Sequence, residues 1–159
     1  MTVGELGAAR LESLLVRYGL DLMLRPEGAA IEASYWGDPE AGIAGHEVYA
    51  REDTPVHSVL HEACHVICMS RERRDCLFRD AGGSDLEEAA VCYLQIVLAD
   101  HVDGVGRDRL LRDMDAWGYS FRLGSARSWF ESDAEDARNW LIDKKLLKND
   151  GTPAFRLRA

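Results

Sequence analysis

The stretch TPVHSVLHEACHVIC, residues 54–68, decides the fold. Pro55 suits the first turn of a helix, where a missing backbone N–H costs nothing, and Asp53 or Thr54 can cap that turn. We therefore predict a helix that begins here and runs to about residue 70. The pentapeptide His61-Glu62-Ala63-Cys64-His65 lies inside it.

This pentapeptide has the HExxH pattern of a metal-binding helix. His61 and His65 stand on one face, about 6 Å apart along the axis, so that one zinc ion can accept a nitrogen from each at ~2.0–2.1 Å. Zinc lowers the pKa of a bound water toward ~7, and Glu62 is placed to accept its proton. We predict one Zn²⁺ per chain with Glu62 as the general base; the alternative is a helix that carries these residues by chance.

A third ligand is expected from the next helix, which opens at Ser84 with a capping-box pattern. Glu87 and Glu88 both lie in its first turn. An acidic residue on a buried face needs a partner, which favours Glu87 over Glu88 as the ligand. Glu87 shares its face with Val91, Leu94 and Leu98. The alternative role for Glu87 is a capping residue that reaches back to Ser84.

Other histidines and cysteines are weaker candidates. His57 and His65 are about 12 Å apart along the helix, and His101 is roughly 21 Å beyond Glu87, too far to share one ion. Cys64 and Cys68 complete an i, i+3, i+4, i+7 set with the histidines, but one helix cannot easily surround an ion with four ligands. We expect them to be small core thiols.

The remaining pattern predicts one α+β domain over residues 1–148, with a flexible tail at 149–159. The predicted elements are a helix at 4–19, a hairpin of strands 20–24 and 31–35, a third strand at 43–51, and helices at 84–101, 107–117 and 133–147.

Charge and hydropathy exclude several classes of partner. The net charge of -9 argues against direct nucleic-acid binding, which needs a basic surface. The first twenty residues contain charged side chains instead of an apolar signal core, and no apolar run reaches the ~20 residues of a membrane span. We therefore predict a cytoplasmic protein without a membrane partner, whose four cysteines are reduced thiols.

Residues 54–98 resemble the gluzincin group of zincin metallopeptidases. After HExxH, the sequence Glu87-Glu88-Ala89-Ala90 followed by Tyr93-Leu94 is similar to the glutamate helix of ImmA/IrrE-type peptidases. The resemblance implies a zinc-dependent metallopeptidase with Glu87 as ligand. By the same resemblance, its substrate would be a protein or peptide, for example a transcriptional regulator.

The resemblance also implies an architecture. An N-terminal helix and a small twisted, mainly antiparallel sheet would pack on the metal helix and the glutamate helix, followed by a helical C-terminal part. Residues 43–51 would be the edge strand along which a peptide substrate lies.

The sequence departs from the gluzincin pattern at Val91, where these enzymes often have Asp or Asn to orient a histidine. Asp80, Asp85 or a backbone carbonyl would have to replace it. Tyr119, Arg122 and His46 are candidates for a transition-state donor. Two alternatives to a peptidase are an inactive zinc-stabilised interaction domain and a metal-free helical binding module.

Overall fold

A computed structural model describes all residues from 1 to 159, and it is an α+β fold of eight α-helices and a three-stranded mixed sheet. None of the helices is both long and apolar enough to cross a membrane. The elements in chain order are α1 (Val3–Leu6), α2 (Ala8–Leu15), a 3-10 turn (Val16–Tyr18), β1 (Asp21–Leu24), β2 (Gly42–Ala44), β3 (Glu47–Ala50), α3 (Val56–Cys68), α4 (Arg71–Arg74), α5 (Asp85–Ala99), α6 (Arg107–Trp117), α7 (Ala126–Ser132) and α8 (Glu135–Asp143).

The N-terminal helix is broken, where the sequence predicted one continuous helix over 4–19. Thr2 and Glu5 cap α1 reciprocally, and Gly7 then adopts a φ of 89° before α2 starts. Glycine reaches this φ without the steric cost that a Cβ would add. The predicted apolar face is real, since α2 buries Leu11 and Leu14 in the core.

The sheet has the order β1-β3-β2, with β1 parallel to β3 and β2 antiparallel to it. The expectation of a mainly antiparallel sheet is therefore corrected to a mixed one. The predicted hairpin of 20–24 with 31–35 is wrong, because residues 31–35 form turns with a single bridge between Ser34 and Gly42. Ala33 has a φ of 53°, which ends any extended run there.

The predicted third strand, 43–51, is two strands joined at Gly45, and β3 lies in the centre of the sheet. The outer side of β2 is already occupied. Ile43 N donates to Ala33 O at 3.3 Å, and Arg79 N donates to Ile43 O at 2.9 Å. A peptide cannot add along Ile43 without displacing these bonds, so the expectation of a free edge strand at this position is wrong.

The two helices predicted to carry the site pack against each other through fully buried side chains. Leu60 and Ile67 of α3 and Leu94 and Leu98 of α5 all lie in the core. Burial of such a side chain contributes roughly 1.5–3 kcal/mol, so this interface fixes the position of α5 relative to the histidines.

The C-terminal third differs from its prediction in two places. A helix that the pattern did not predict, α7, begins where Ser125 accepts a hydrogen bond from Ser128 N, and α8 is shorter than the predicted 133–147. Residues 149–159 are packed, where the sequence predicted a flexible tail. Arg158 N donates to Ile67 O at 3.0 Å, and the Phe155 ring lies 5.7 Å from that of Tyr18.

Candidate metal centre

The two histidines of HExxH meet on one face of α3, as the spacing predicted. His61 Nε2 and His65 Nε2 lie 3.1 Å apart, and both side chains are largely buried. Two nitrogens bound tetrahedrally to one ion at ~2.0–2.1 Å are roughly 3.3 Å apart. The pair is therefore already close to the spacing that one ion requires.

Glu88 completes a three-residue cluster with these histidines. Its Oε1 lies 3.4 Å from His61 Nε2, and its Oε2 lies 3.4 Å from His65 Nε2. One potential ligand atom from each of the three residues falls within 4.8 Å of the others. The side chain of Glu88 is 50% exposed and lines the same cleft as both histidines, so the cluster is open to that cleft.

The geometry brings Glu88 to the two histidines, whereas the sequence analysis favoured Glu87 as third ligand. Glu87 accepts a hydrogen bond from Arg73 Nη1 at 2.6 Å and another from Arg158 Nη1 at 3.1 Å. Its side chain is only 9% exposed, so the inference of a buried acid in need of a partner was sound. The partner that the structure shows is a pair of guanidinium groups.

Half of the predicted capping box is present, since Glu87 N donates to Ser84 Oγ at 3.3 Å, but the Glu87 side chain binds the two arginines and does not reach back to Ser84. Gly83 passes close above the Glu87 carboxylate with a φ of 120°. A Cβ at Gly83 would lie 3.0 Å from Glu87 Oε1. The loop before α5 can therefore approach the Glu87–Arg73 pair only because this residue is glycine.

Gln95 orients His61 from the next helix. Gln95 is fully buried, and its Oε1 lies 2.7 Å from His61 Nδ1. A carbonyl oxygen only accepts, so the bond requires a proton on Nδ1, and in the neutral form of His61 the lone pair that can bind a metal is then the one on Nε2. We expected Asp80, Asp85 or a backbone carbonyl in this role. The available signal was that Gln95 interrupts an apolar run and lies seven residues after Glu88, on the same helix face.

Burial sets the protonation of the site. It lowers the pKa of His65 to about 3, with His61 and Arg73 as smaller causes, and lowers the pKa of His57 to about 4. Neutral imidazole is the form that binds a metal ion. Burial also raises the pKa of Glu62 to about 8, and the charges of Glu40 and Glu88 add to this shift.

The other candidate residues lie outside the cluster. His57 is buried against Tyr119, with its Nδ1 3.4 Å from the phenol oxygen, and His101 packs edge-on to Phe155. Arg122 forms an ion pair with Asp133.

All four cysteines are free thiols, and Cys64 and Cys68 are fully buried in the core. They do not join the histidines. The structure therefore gives no support to a four-ligand site on α3 alone.

The cluster opens into a cleft of about 530 Å³. Glu62 lines this cleft beside the histidines, as the motif predicted. Two of the lining residues are hydrogen-bonded to each other, since Trp117 Nε1 donates to Glu40 Oε1 at 2.9 Å. The lining residues are Tyr35, Trp36, Glu40, His61, Glu62, His65, Arg79, Asp80, Ala81, Gly82, Gly83, Ser84, Asp85, Glu88, Trp117, Gly118 and Tyr119.

No protein-family model matches the chain, and neither curated proteins nor solved structures are significantly similar to it. The gluzincin resemblance therefore stays a prediction that rests on the motif residues themselves.

Proposed function

We propose that the chain is a zinc-dependent metallopeptidase whose metal ligands are His61, His65 and Glu88. The observation that carries the proposal is the convergence of two histidine Nε2 atoms 3.1 Å apart with the Glu88 carboxylate, which approaches each nitrogen to 3.4 Å. Glu62 lies in the same cleft. This is the residue set that metal-assisted hydrolysis requires.

The donor set fits a zinc ion. Two imidazole nitrogens and one carboxylate are ligands that zinc accepts in catalytic sites, where a further position stays open for water or substrate. Gln95 supports the assignment because it leaves the His61 Nε2 lone pair directed at the cluster. When bound, zinc polarises a substrate carbonyl and lowers the pKa of water in the site.

Glu62 is the general base of the proposed reaction. A nearby cation favours the carboxylate form, which offsets the effect of burial on its pKa. A carboxylate oxygen of Glu62 accepts a proton from the attacking water as the water oxygen bonds to the carbonyl carbon. The same group then delivers the proton to the amine nitrogen as the C–N bond breaks.

Tyr119 is the hydrogen-bond donor that the cleft offers to the carbonyl oxygen. Its phenol lines the cleft, and burial raises its pKa, so that the hydroxyl stays protonated at neutral pH. His57 Nδ1 lies 3.4 Å from that hydroxyl and limits its orientation. Such a donor stabilises the negative charge that develops on the oxygen in the transition state.

The substrate of this chemistry is a protein or peptide. A transcriptional regulator as substrate, cleaved without any contact between this chain and DNA, is a proposal that rests on the gluzincin resemblance alone.

The test combines metal content with turnover. After zinc loading and dialysis, elemental analysis is expected to find about one zinc per chain, and His61→Ala is expected to lose it. A quenched-fluorescence peptide library then measures hydrolysis. Glu62→Gln is expected to keep the zinc and to lose about 10²–10⁴-fold in rate.

The other outcomes separate the alternatives. Stoichiometric zinc without hydrolysis of any peptide would favour the inactive zinc-stabilised domain. A chain that takes up no zinc would overturn the centre itself and leave a metal-free helical module.

A further inference from the structure

Two clefts adjoin at the candidate centre. The first, of about 530 Å³, extends from the histidines to Trp36 and Trp117. The second, of about 390 Å³, is lined by a different pair of aromatic residues, Phe121 and Trp129. Asp85, Glu88 and Tyr119 line both clefts. A peptide whose scissile bond lies at Glu88 therefore has a cleft available for the residues on each side of that bond.

The first cleft presents exposed aromatic rings. Trp36 is 74% exposed, and its ring meets that of Tyr35 edge-on at 5.1 Å. Trp117 is also exposed and is held in place by its hydrogen bond to Glu40. Large aromatic side chains that remain open to solvent in a cleft provide apolar area for a ligand to cover.

The second cleft has an aromatic wall, and the polar residues Asp85, Glu88, Ser120 and Arg122 also line it. Phe121 stacks on Trp129 with ring centroids 4.7 Å apart, and the small residues Ala89 and Cys92 of α5 also line the cleft. This stack fixes the rings before any ligand arrives. The aromatic wall suits one bulky apolar side chain of a ligand.

The acidic lining of the first cleft favours peptides that carry basic residues beside their apolar ones. Glu40, Asp80 and Asp85 line it, and none of the three forms an ion pair. Arg79 is the one lysine or arginine in the lining. The chain as a whole carries a net charge of -9. Basic peptide residues are attracted to such a surface, and acidic ones are repelled.

We propose that the two clefts bind an extended, basic peptide segment with a bulky apolar side chain on each side of the scissile bond. This inference rests on the proposed function for the position of that bond. One apolar side chain packs on Trp36 and Trp117, the other packs on Phe121, and a neighbouring lysine or arginine faces Asp80 and Asp85.

The experiment measures peptide binding separately from cleavage. Zinc-loaded Glu62→Gln protein is titrated by calorimetry with decapeptides that contain a central Leu-Phe pair and flanking lysines. Matched peptides carry glutamates in place of the lysines, or serines in place of Leu-Phe. The lysine peptide is expected to bind at least about tenfold more tightly than the glutamate peptide at low salt, and added salt should shrink the difference.

Variants identify the residues that cause the preference for the lysine peptide over the glutamate peptide. In the Glu62→Gln background, Asp80→Asn with Asp85→Asn is expected to remove most of it. Glu27→Gln with Asp143→Asn makes the same change in net charge at exposed positions outside both clefts and should preserve it. Trp36→Ala should weaken binding of the Leu-Phe peptide until its affinity approaches that of the serine peptide. Val16→Ala, a change at another exposed apolar residue, should leave binding unchanged.

Equal binding of the lysine and glutamate peptides, or equal losses in the two double variants, would overturn the inference. Selective binding by Glu62→Gln together with no hydrolysis by the native chain would support the peptide site and overturn the peptidase. Hydrolysis without charge or aromatic preference would do the reverse.

Discussion

Glu87 and Glu88 are chemically identical neighbours on α5 with opposite surroundings. Glu88 is half exposed, and its two oxygens each lie 3.4 Å from a histidine Nε2 atom. Glu87 is buried between the guanidinium groups of Arg73 and Arg158. Successive residues on a helix differ in direction by about 100°, so one step along the chain separates a ligand position from a structural ion pair. A buried acid and a metal-binding acid can therefore have the same local sequence signal.

The largest expected effect is on metal affinity at this pair of positions. Glu88→Gln should weaken zinc binding by at least about 100-fold, because it removes the only anionic donor of the cluster. Glu87→Gln makes the same chemical change one residue earlier and should leave zinc affinity within about threefold. Competition with a chromophoric chelator measures both constants.

Glu87→Gln should instead show its effect on folding. It leaves two guanidinium groups without their carboxylate, and we expect a loss of roughly 2 kcal/mol in the free energy of unfolding, below the range for fully buried pairs because both arginines reach solvent. Loss of zinc in Glu87→Gln with retention in Glu88→Gln would reverse the ligand assignment.

The second prediction concerns Gln95, which lies on the same face of α5 as Glu88. Gln95→Leu removes the acceptor for His61 Nδ1 and should reduce zinc affinity about 10–100-fold. Gln95→Glu keeps an acceptor at this position and should retain most of the affinity. The same chelator competition applies, and a Gln95→Leu protein that binds zinc normally would show that Gln95 does not orient the histidine.

The third prediction uses Glu62, whose pKa is raised in part by Glu88 and owes nothing to Glu87. A carboxyl with a raised pKa in the folded state favours folding most at low pH, and this contribution is lost as pH rises to about 8. His57 and His65 have lowered pKa values and lose stability only below about 6.5. Between pH 6.5 and 8, the change in the free energy of unfolding that Glu62 causes is therefore separate from the changes that these histidines cause.

With a chelator present, the free energy of unfolding should fall by about 1–2 kcal/mol between pH 6.5 and 8. Glu62→Gln should abolish this fall. Urea denaturation at the two pH values measures it, and an unchanged slope in Glu62→Gln would assign the proton to another group.

The smallest expected effect is on stability and concerns Arg158, the second arginine bound to Glu87. Arg158→Ala should cost about 1 kcal/mol of stability, since Arg73 remains paired with Glu87. Arg156→Ala is the matched control, because Arg156 is exposed and forms no ion pair. Thermal denaturation compares the two variants, and equal melting temperatures would show that the Arg158 contact adds nothing to the fold.

The sequence alone determined the parts of this protein that depend on neighbours along the chain. The His61–His65 pair follows from helical spacing, which is local, and helices α3, α5 and α6 begin and end near their predicted residues. Capping residues and apolar periodicity carry that information within a few turns. The N-terminal helix was misjudged at Gly7 because its apolar period continues across the break.

Only the tertiary structure decided which residues meet across the chain. Alternation predicts an extended, half-buried segment but not its partner, so β1 was paired with 31–35 when it lies beside β3. The contact of Glu87 with Arg158 spans 71 residues, and that of His61 with Gln95 spans 34. Such contacts depend on how α5 is rotated and packed against α3, which is set by the whole core and not by the residues around any one position.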